Sequence, residues 1–307
     1  MPYGGNLHIN KALTNISVQY KNAEFIGDKV LQSVPVKKES DVYYTWVRDF
    51  RIEDTIRQIK SPANMVTWGV STSAYVMNEY ALADVVTDRE MDNADSPFRL
   101  KADATEFLTE KIMLDKEKRI ADLMFTTATW GNNASLATAT SWVYNTTTSA
   151  PIQNMLSATG LILRESGKMA NTGILGWEVF EALKENPNIY NRIQYVSEAF
   201  VTEKILSAAF DLEKLYVGKG YYDPNREGIA ESMTALWGDY AWIGYINPSM
   251  GLRQVSAAIN ITKGKGSTVK SWRDNAIDGE YIQVSQMSVP KAVATSCAFI
   301  FSSVTVI

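Results

Sequence analysis

The alternation of apolar and polar positions divides the chain into stretches of different period. Tyr44, Trp46, Arg48, Phe50 and Ile52 fall on one face of VYYTWVRDFRI, and Val66, Trp68, Val70, Ala74 and Val76 on one face of MVTWGVSTSAYVM. A period of two predicts strands. With the polar stretch EDTIRQIKSPAN between them, the runs predict a long two-stranded ribbon with arms of about a dozen residues. An isolated ribbon is marginal in water, and no neighbouring run supplies a third strand. Either the rest of the domain covers it or another subunit does.

Upstream, Ser17 to Trp46 settles into neither period. Ala23, Phe25, Ile26, Val30 and Leu31 make one helical turn of apolar positions before Pro35. Downstream, Leu100, Ala104, Phe107, Leu108 and Ile112, then Ile120, Leu123 and Met124, recur at helical spacing between a Ser96-Pro97 start signal and Gly131. A helix of that length spans roughly 45 Å, against a radius of gyration of about 19 Å for a compact chain of this size. Its middle turn, Asp115 to Arg119, is charged on every side and reads as a solvated face, supported by i,i+4 pairs of Asp115 with Lys111 and Arg119. A helix that crosses the molecule with a wet turn midway predicts a flattened or elongated subunit.

From Thr126 to Ala150 the chain is uncharged and rich in Thr, Ser and Asn, and reads as turns or exposed strands interrupted by Trp130, Trp142, Val143 and Tyr144. After Pro151 helical and extended runs alternate. IQNMLSATGLILRES stops at Gly167; a strand at TGILG, a helix WEVFEALKE with its stop at Asn186-Pro187, a helix VTEKILSAAF, and strands LYVGKG and YAWIGYIN follow. GEYIQVSQMS and AVATSCAFIFSSV close the sequence as strands. The predicted class is α+β, with a central α+β unit at about 151–265 inserted between the long helix and C-terminal strands that pack together.

Composition narrows the chemistry. The 307 residues are nearly half apolar and carry a net charge of -4, which argues against a dedicated nucleic-acid binder with a basic face. The one cysteine, Cys297, leaves no internal disulfide. With neither a signal-peptide pattern in Met1 to Asn10 nor an apolar run of ~20 residues, the expectation is a soluble intracellular chain. The one histidine, His8, lies in the polar N-terminal tail, so no Ser-His-Asp triad, Cys-His pair or usual zinc site can be assembled.

Lys263 to Thr268 (KGKGST) lacks the Gly-Lys-Ser/Thr order of a phosphate loop and reads as a basic turn. Asp88 to Asp95 resembles an acidic metal loop without the glycine of its sharp turn, and reads as a solvated connection. Carboxylate pairs for glycoside hydrolysis are a residual possibility, since no pair stands out. No catalytic, cofactor or metal residue is assigned.

Taken together, YKNAEFIGDKVLQSVPVKKESDVYYTW, WGVSTSAYVMNEYALADVV and ADSPFRLKADATEFLTEKIMLDKEKRIADLMF resemble the N-terminal arm, extended-loop return and spine helix of the major capsid proteins of tailed phages, with the Hong Kong phage-type shell fold. The resemblance implies an arm at 1–41, an extended loop at 42–90, a peripheral domain of 91–150 with 266–307, and an axial domain at 151–265. It implies a structural protein, not an enzyme, whose copies form hexamers and pentamers of an icosahedral head around double-stranded DNA. Arm and ribbon would then lie on neighbouring subunits, with Phe25, Ile26, Val34, Trp46, Arg48, Phe50, Arg57, Lys60 and Trp68 as candidate inter-subunit contacts.

The resemblance also implies a portal protein, decoration proteins and a separate scaffolding protein as partners, the last because Met1 leads directly into the arm. No cofactor, membrane contact or sequence-specific DNA contact is implied, and the setting is the virion, assembled in the host cytoplasm. Some members of the family cross-link an extended-loop lysine to a neighbour's asparagine. Lys60 is the candidate, though a non-covalent contact is the weightier reading. A bacterial nanocompartment shell of the same fold is the alternative, and a carboxylate-based hydrolase the alternative from another class.

Overall fold

The computed structural model describes residues 25–45, 49–67, 69, 71–94, 99–136, 138–143, 148–193, 201–226, 228–249, 254–264 and 267–305. A single helical turn, α1 (Gly27–Val30), leads into β1 (Ser33–Val36), β2 (Ser40–Thr45), β3 (Ser71–Val76) and β4 (Glu79–Thr87). A short capped helix, α2 (Asp88–Asp92), precedes the long helix α3 (Leu100–Met124) and the strand β5 (Asn132–Ser135). Then come α4 (Pro151–Ser166), β6 (Thr172–Gly176), α5 (Trp177–Glu185), α6 (Pro187–Ile193), α7 (Glu203–Ala209) and β7 (Lys214–Gly218). After the short β8 (Tyr221–Tyr222) and β9 (Thr234–Ala235), the chain ends with β10 (Tyr240–Gly244), β11 (Ala258–Lys263), β12 (Thr268–Asp274), β13 (Gly279–Ala292) and β14 (Ala298–Ser302).

Two five-stranded sheets organise these elements. The first has the order β1-β11-β13-β12, with β4 also pairing β13. The second has the order β5-β14-β10-β6-β7. Its strand β6 is buried at every residue, between parallel β7 and antiparallel β10, as its unbroken small and apolar sequence requires. Helix α4 covers this sheet. Proline opens it, and Gly167 closes it in a left-handed conformation at φ 65°, returning its N–H to Leu163. Asn186-Pro187 is a stop and a restart: the Asn186 side chain accepts from the Asn188 N–H as α6 begins.

The last strand departs from the sequence expectation. β14 pairs antiparallel with β10 and parallel with β5, so the two ends of the predicted peripheral segments lie in the sheet of the central unit. β12 and β13 stay with β4 and α3. A continuous strand over AVATSCAFIFSSV is interrupted by a 3-10 turn at Thr295–Cys297, which moves the chain from one sheet to the other.

Helix α3 matches the apolar repeat but is shorter than the interval between the Ser96-Pro97 start signal and Gly131 suggested. Its 25 residues span about 37 Å at 1.5 Å per residue. Ser96 and Pro97 lie outside the described residues. Leu108 and Ile112 face β4 and β13, packing with Val86, Ile282 and Val284. Further along, Ile120, Ala121 and Met124 pack with Ile26, Val30 and Leu31 at α1 and with Trp237 and Trp242.

The charged turn between those two patches is not a solvated face. Glu117 is 3% exposed and Lys116 6%. The first N–H groups of a helix have no intrahelical acceptor, and α1 has no side-chain cap of its own. Glu117 fills that role from 90 residues away. Its carboxylate accepts from Ile26 N at 2.9 Å, Gly27 N at 2.8 Å and Trp237 Nε1 at 2.9 Å. A Cβ at Gly27 would stand 2.5 Å from Glu117 Oε2, so only glycine allows this approach. Lys116 pairs with Asp28. Arg119 donates to Ser288 O at 2.9 Å and lies 3.5 Å over the Tyr80 ring. Charge on every side of one turn is tolerated because each side finds a different partner.

Burial, the largest influence, pushes the Glu117 carboxyl above its usual 4.5, opposed by the three N–H donors. A native value above the unfolded one means that the folded chain holds the proton more tightly. This group's contribution to stability therefore rises as pH falls from above the native value towards 4.5, and falls as pH climbs back. In Glu117→Gln the amide nitrogen faces donors, and urea unfolding followed by tryptophan fluorescence should show a loss of about 2–4 kcal/mol at neutral pH. The variant takes up no proton at this position, so its deficit against wild type should widen on acidification across that window. A deficit that narrows would refute the assignment.

Candidate assembly surface

Among the described residues the ribbon predicted from the period-two runs is paired only at its base. β2 and β3 run antiparallel from Ser40↔Val76 to Thr45↔Ser71, six residues a side where about twelve were expected. Alternation sorts their side chains. Tyr43 and Tyr75 turn inward against Ile259, Ile261 and Val293, and the Tyr43 hydroxyl donates to Ala292 O at 3.1 Å. Val42, Tyr44 and Val76 face outward.

Beyond the paired base, residues 49–67 form a projecting loop held by its own polar contacts. Ile56 N donates to Asp54 Oδ1 at 2.9 Å, Asn64 Nδ2 reaches across to Asp54 O at 2.7 Å, and Arg57 Nε donates to Ser61 O at 2.7 Å. A turn at the tip, Ser61 N to Gln58 O, carries Lys60 at φ 67°. Most apolar side chains of this loop lie in water, although the Phe50 ring reaches Gly167. Ile52 is 100% exposed, Ile59 95%, Met65 97% and Ile56 80%, with Val66 and Phe50 also exposed. Burying an aliphatic side chain of this size is worth about 1.5–3 kcal/mol, so a row of them in water marks a contact surface.

A second uncovered set lies on the first sheet. Leu82 and Val269 flank Val284 in register, and both are exposed. Trp272 stacks on Tyr281 with ring centroids 5.2 Å apart. The exposed Phe107 of α3 lies on the helix that backs this sheet.

The sequence-based contact candidates divide into three groups. Phe50, Arg57 and Lys60 are on the loop and exposed. Ile26 and Val34 are buried in the chain's own core at 4% and 6%, and Phe25 beside them is half-buried. Trp46, Arg48 and Trp68 lie outside the described residues. What sequence reasoning passed over is the row Ile56, Ile59 and Met65. Its signal was present as large apolar residues within an otherwise polar loop, where no core can reach them.

Among the described residues no group of three or more His, Cys, Asp or Glu is placed to hold a metal ion, and no helix is long and apolar enough to cross a membrane. Cys297 is buried, and burial pushes its thiol up to about 11, which keeps it protonated and unreactive at neutral pH. The exposed tip predicts its own cleavage pattern. In the unassembled chain trypsin should cut first after Arg57 and Lys60, before any site in the two sheets, as read by mass spectrometry of early fragments. First cuts within β10 or β13 would contradict the loop geometry.

Comparison with known proteins bears on both sequence and fold. No protein-family model matches the chain. The chain is 27% identical over 249 residues to the major capsid protein of Burkholderia phage BcepMu, covering 80% of this chain and 79% of that one. It is 29% identical over 240 residues to the major capsid protein of Pseudomonas phage JBD67, covering 76% and 75%. The crystal structure of a phage-related protein from Bordetella bronchiseptica RB50 superposes with a TM-score of 0.75 at 19% identity, covering 97% of this chain and 98% of that one. The SrpI encapsulin of Synechococcus elongatus PCC 7942 shares the fold more distantly, with a TM-score of 0.54 at 11% identity, covering 92% and 88%. The architecture is thus the Hong Kong phage-type capsid fold, and the curated proteins the chain resembles in sequence are phage major capsid proteins.

Proposed function

We propose that this chain is the shell-building subunit of a tailed-phage head, whose copies form hexamers and pentamers that close into an icosahedral shell around packaged double-stranded DNA. Its role is structural. The observation that carries the assembly reading is the row of fully exposed apolar side chains on the 49–67 loop, which a subunit acting alone would gain nothing by displaying. In this reading 1–41 is the arm, 42–90 the extended loop, 91–150 with the C-terminal strands the peripheral domain, and 151–265 the axial domain. β5 and β14 tie the peripheral segments into the axial sheet.

Each copy then needs several modest contacts with its neighbours rather than one tight interface, and recruiting the loop stabilises the assembled state by mass action. A net charge of -4 suits a shell that confines DNA without gripping its phosphates. Lys60 makes a non-covalent contact at the loop tip. Scaffolding, portal and decoration proteins are the expected partners, with assembly in the host cytoplasm. The nanocompartment alternative shares the fold but not the sequence kinship. Nucleic acid inside purified particles, rather than protein cargo, separates the two.

The test is light scattering with negative-stain electron microscopy on the full chain, with and without co-expressed neighbouring genes. Closed shells, tubes or six-membered rings support the reading, and a monomer under every condition rejects it. The combined change Ile52→Ser, Ile56→Ser and Ile59→Ser should abolish particles while leaving the urea midpoint of the subunit unmoved, since these side chains lose about 1.5–3 kcal/mol each only where they would be buried. Particles that form normally from this variant would remove the loop from the interface.

A further inference from the structure

We infer that β12 is a docking edge for the β12 of a second copy of the chain. The two strands pair antiparallel about a twofold axis, so that the unit β4-β13-β12 continues into its counterpart. This goes beyond the shell reading and adds a contact in which the extended loop takes no part.

β12 (TVKSWRD) ends its sheet. One side pairs with β13 in unbroken register from Thr268↔Ser285 to Asp274↔Gly279, and among the described residues the other side pairs with no strand. Six of its seven residues are exposed. A free edge presents a row of backbone donors and acceptors, and proteins usually blunt it with proline, a bulge, a covering element or charge. β12 has neither proline nor bulge. Of its charges, Arg273 is engaged by Asp88, and Asp274 accepts from the Ala276 N–H. It also displays apolar surface on both faces, with Val269 51% exposed and Trp272 44%.

An edge can meet its own copy about a twofold axis only if its sequence is self-complementary. Antiparallel pairing centred on Ser271 sets Lys270 opposite Trp272, Val269 opposite Arg273 and Thr268 opposite Asp274, each twice. No like charges meet. Each ammonium faces an indole, each valine an arginine stem, and each hydroxyl a carboxylate. Centring on Lys270 instead sets two lysines face to face, and centring on Trp272 leaves Thr268 and Val269 unpaired. The faces agree as well. Ser271 pairs with Ile282, which packs with Leu108 and Ile112 of α3. Trp272 and its stacked partner Tyr281 therefore lie on the sheet face away from α3. A twofold axis perpendicular to the sheet keeps both α3 helices on one face and both aromatic stacks on the other.

The experiment uses the full chain under assembly conditions. Ser271→Cys puts a thiol on the axis, beside its own counterpart. After oxidation a covalent dimer should form at about tenfold the yield of Asn275→Cys, whose counterpart stands about 26 Å away in this register. Cys297 is fully buried and does not compete. Separately, Ser271→Lys sets two lysines directly opposite and should raise the protein concentration needed for assembly about fivefold. Its urea midpoint should stay that of wild type, because Ser271 is exposed. Particles with no Ser271→Cys dimer above the control, or Ser271→Lys assembling at the wild-type concentration, overturn the edge pairing and leave the shell reading standing. A covalent dimer without particles under any condition supports the pairing and rejects the shell. A chain that gives neither overturns both.

Discussion

One buried carboxylate holds three parts of this subunit together. Glu117 sits midway along α3, yet its oxygens belong to the start of α1 and to the indole of Trp237. Two backbone N–H groups of the arm would otherwise be buried without acceptors, and the indole N–H likewise, at a cost of about 1–3 kcal/mol for each. Meeting all three with one carboxylate concentrates the constraint: the N-terminal segment at α1, the long helix and the turn before β10 must keep their mutual positions or lose it together. Gly27 is part of the same arrangement, since a side chain there would stand where the carboxylate is.

With that junction in place, the subunit divides into a part that is complete and a part that is not. Two sheets, with the helices packed on them, bury most of their apolar residues and pair their strands, though Leu82 and Val269 of the first stay exposed. The loop at 49–67 does neither, leaving Ile52, Ile59 and Met65 in water. Its tip is nonetheless ordered by short-range hydrogen bonds. This pairing of a rigid polar tip with unburied apolar flanks makes sense for a segment whose packing partner is another copy. On the proposed assembly the free energy missing from the single subunit is recovered, and concentration sets how much of it counts.

Several features could be read from residues alone because they depend on local patterning. The apolar repeat from Leu100 to Met124 gave α3 its existence and its inward positions, and Pro151 and Gly167 gave the limits of α4. The alternation that set Tyr44 and Val76 on one face gave the paired base of the ribbon, but it is Tyr43 and Tyr75 on the other face that turn inward. The six-residue length of that base was not legible, because Phe50 and Ile52 keep the alternation going past the last pairing. Period two records which side chains share a face, not whether a second strand lies beside them. Ile26 and Val34 were legible as apolar arm residues, but their burial against the chain's own α3 and β11 was not.

The sequence by itself determined the class of architecture, the absence of histidine-based chemistry outside the tail, and the kinship with phage shell proteins, since each follows from residue identity and spacing along one segment. Only the tertiary structure decided where the charges of Asp115 to Arg119 point, that β14 joins β10 rather than β13, and that Ile26 and Val34 are buried in the chain's own core. The physical reason is common to all three. A helical turn with charge on every side is solvated or buried according to what stands opposite it, and for Glu117 the groups opposite come from positions 26, 27 and 237. No local window contains them.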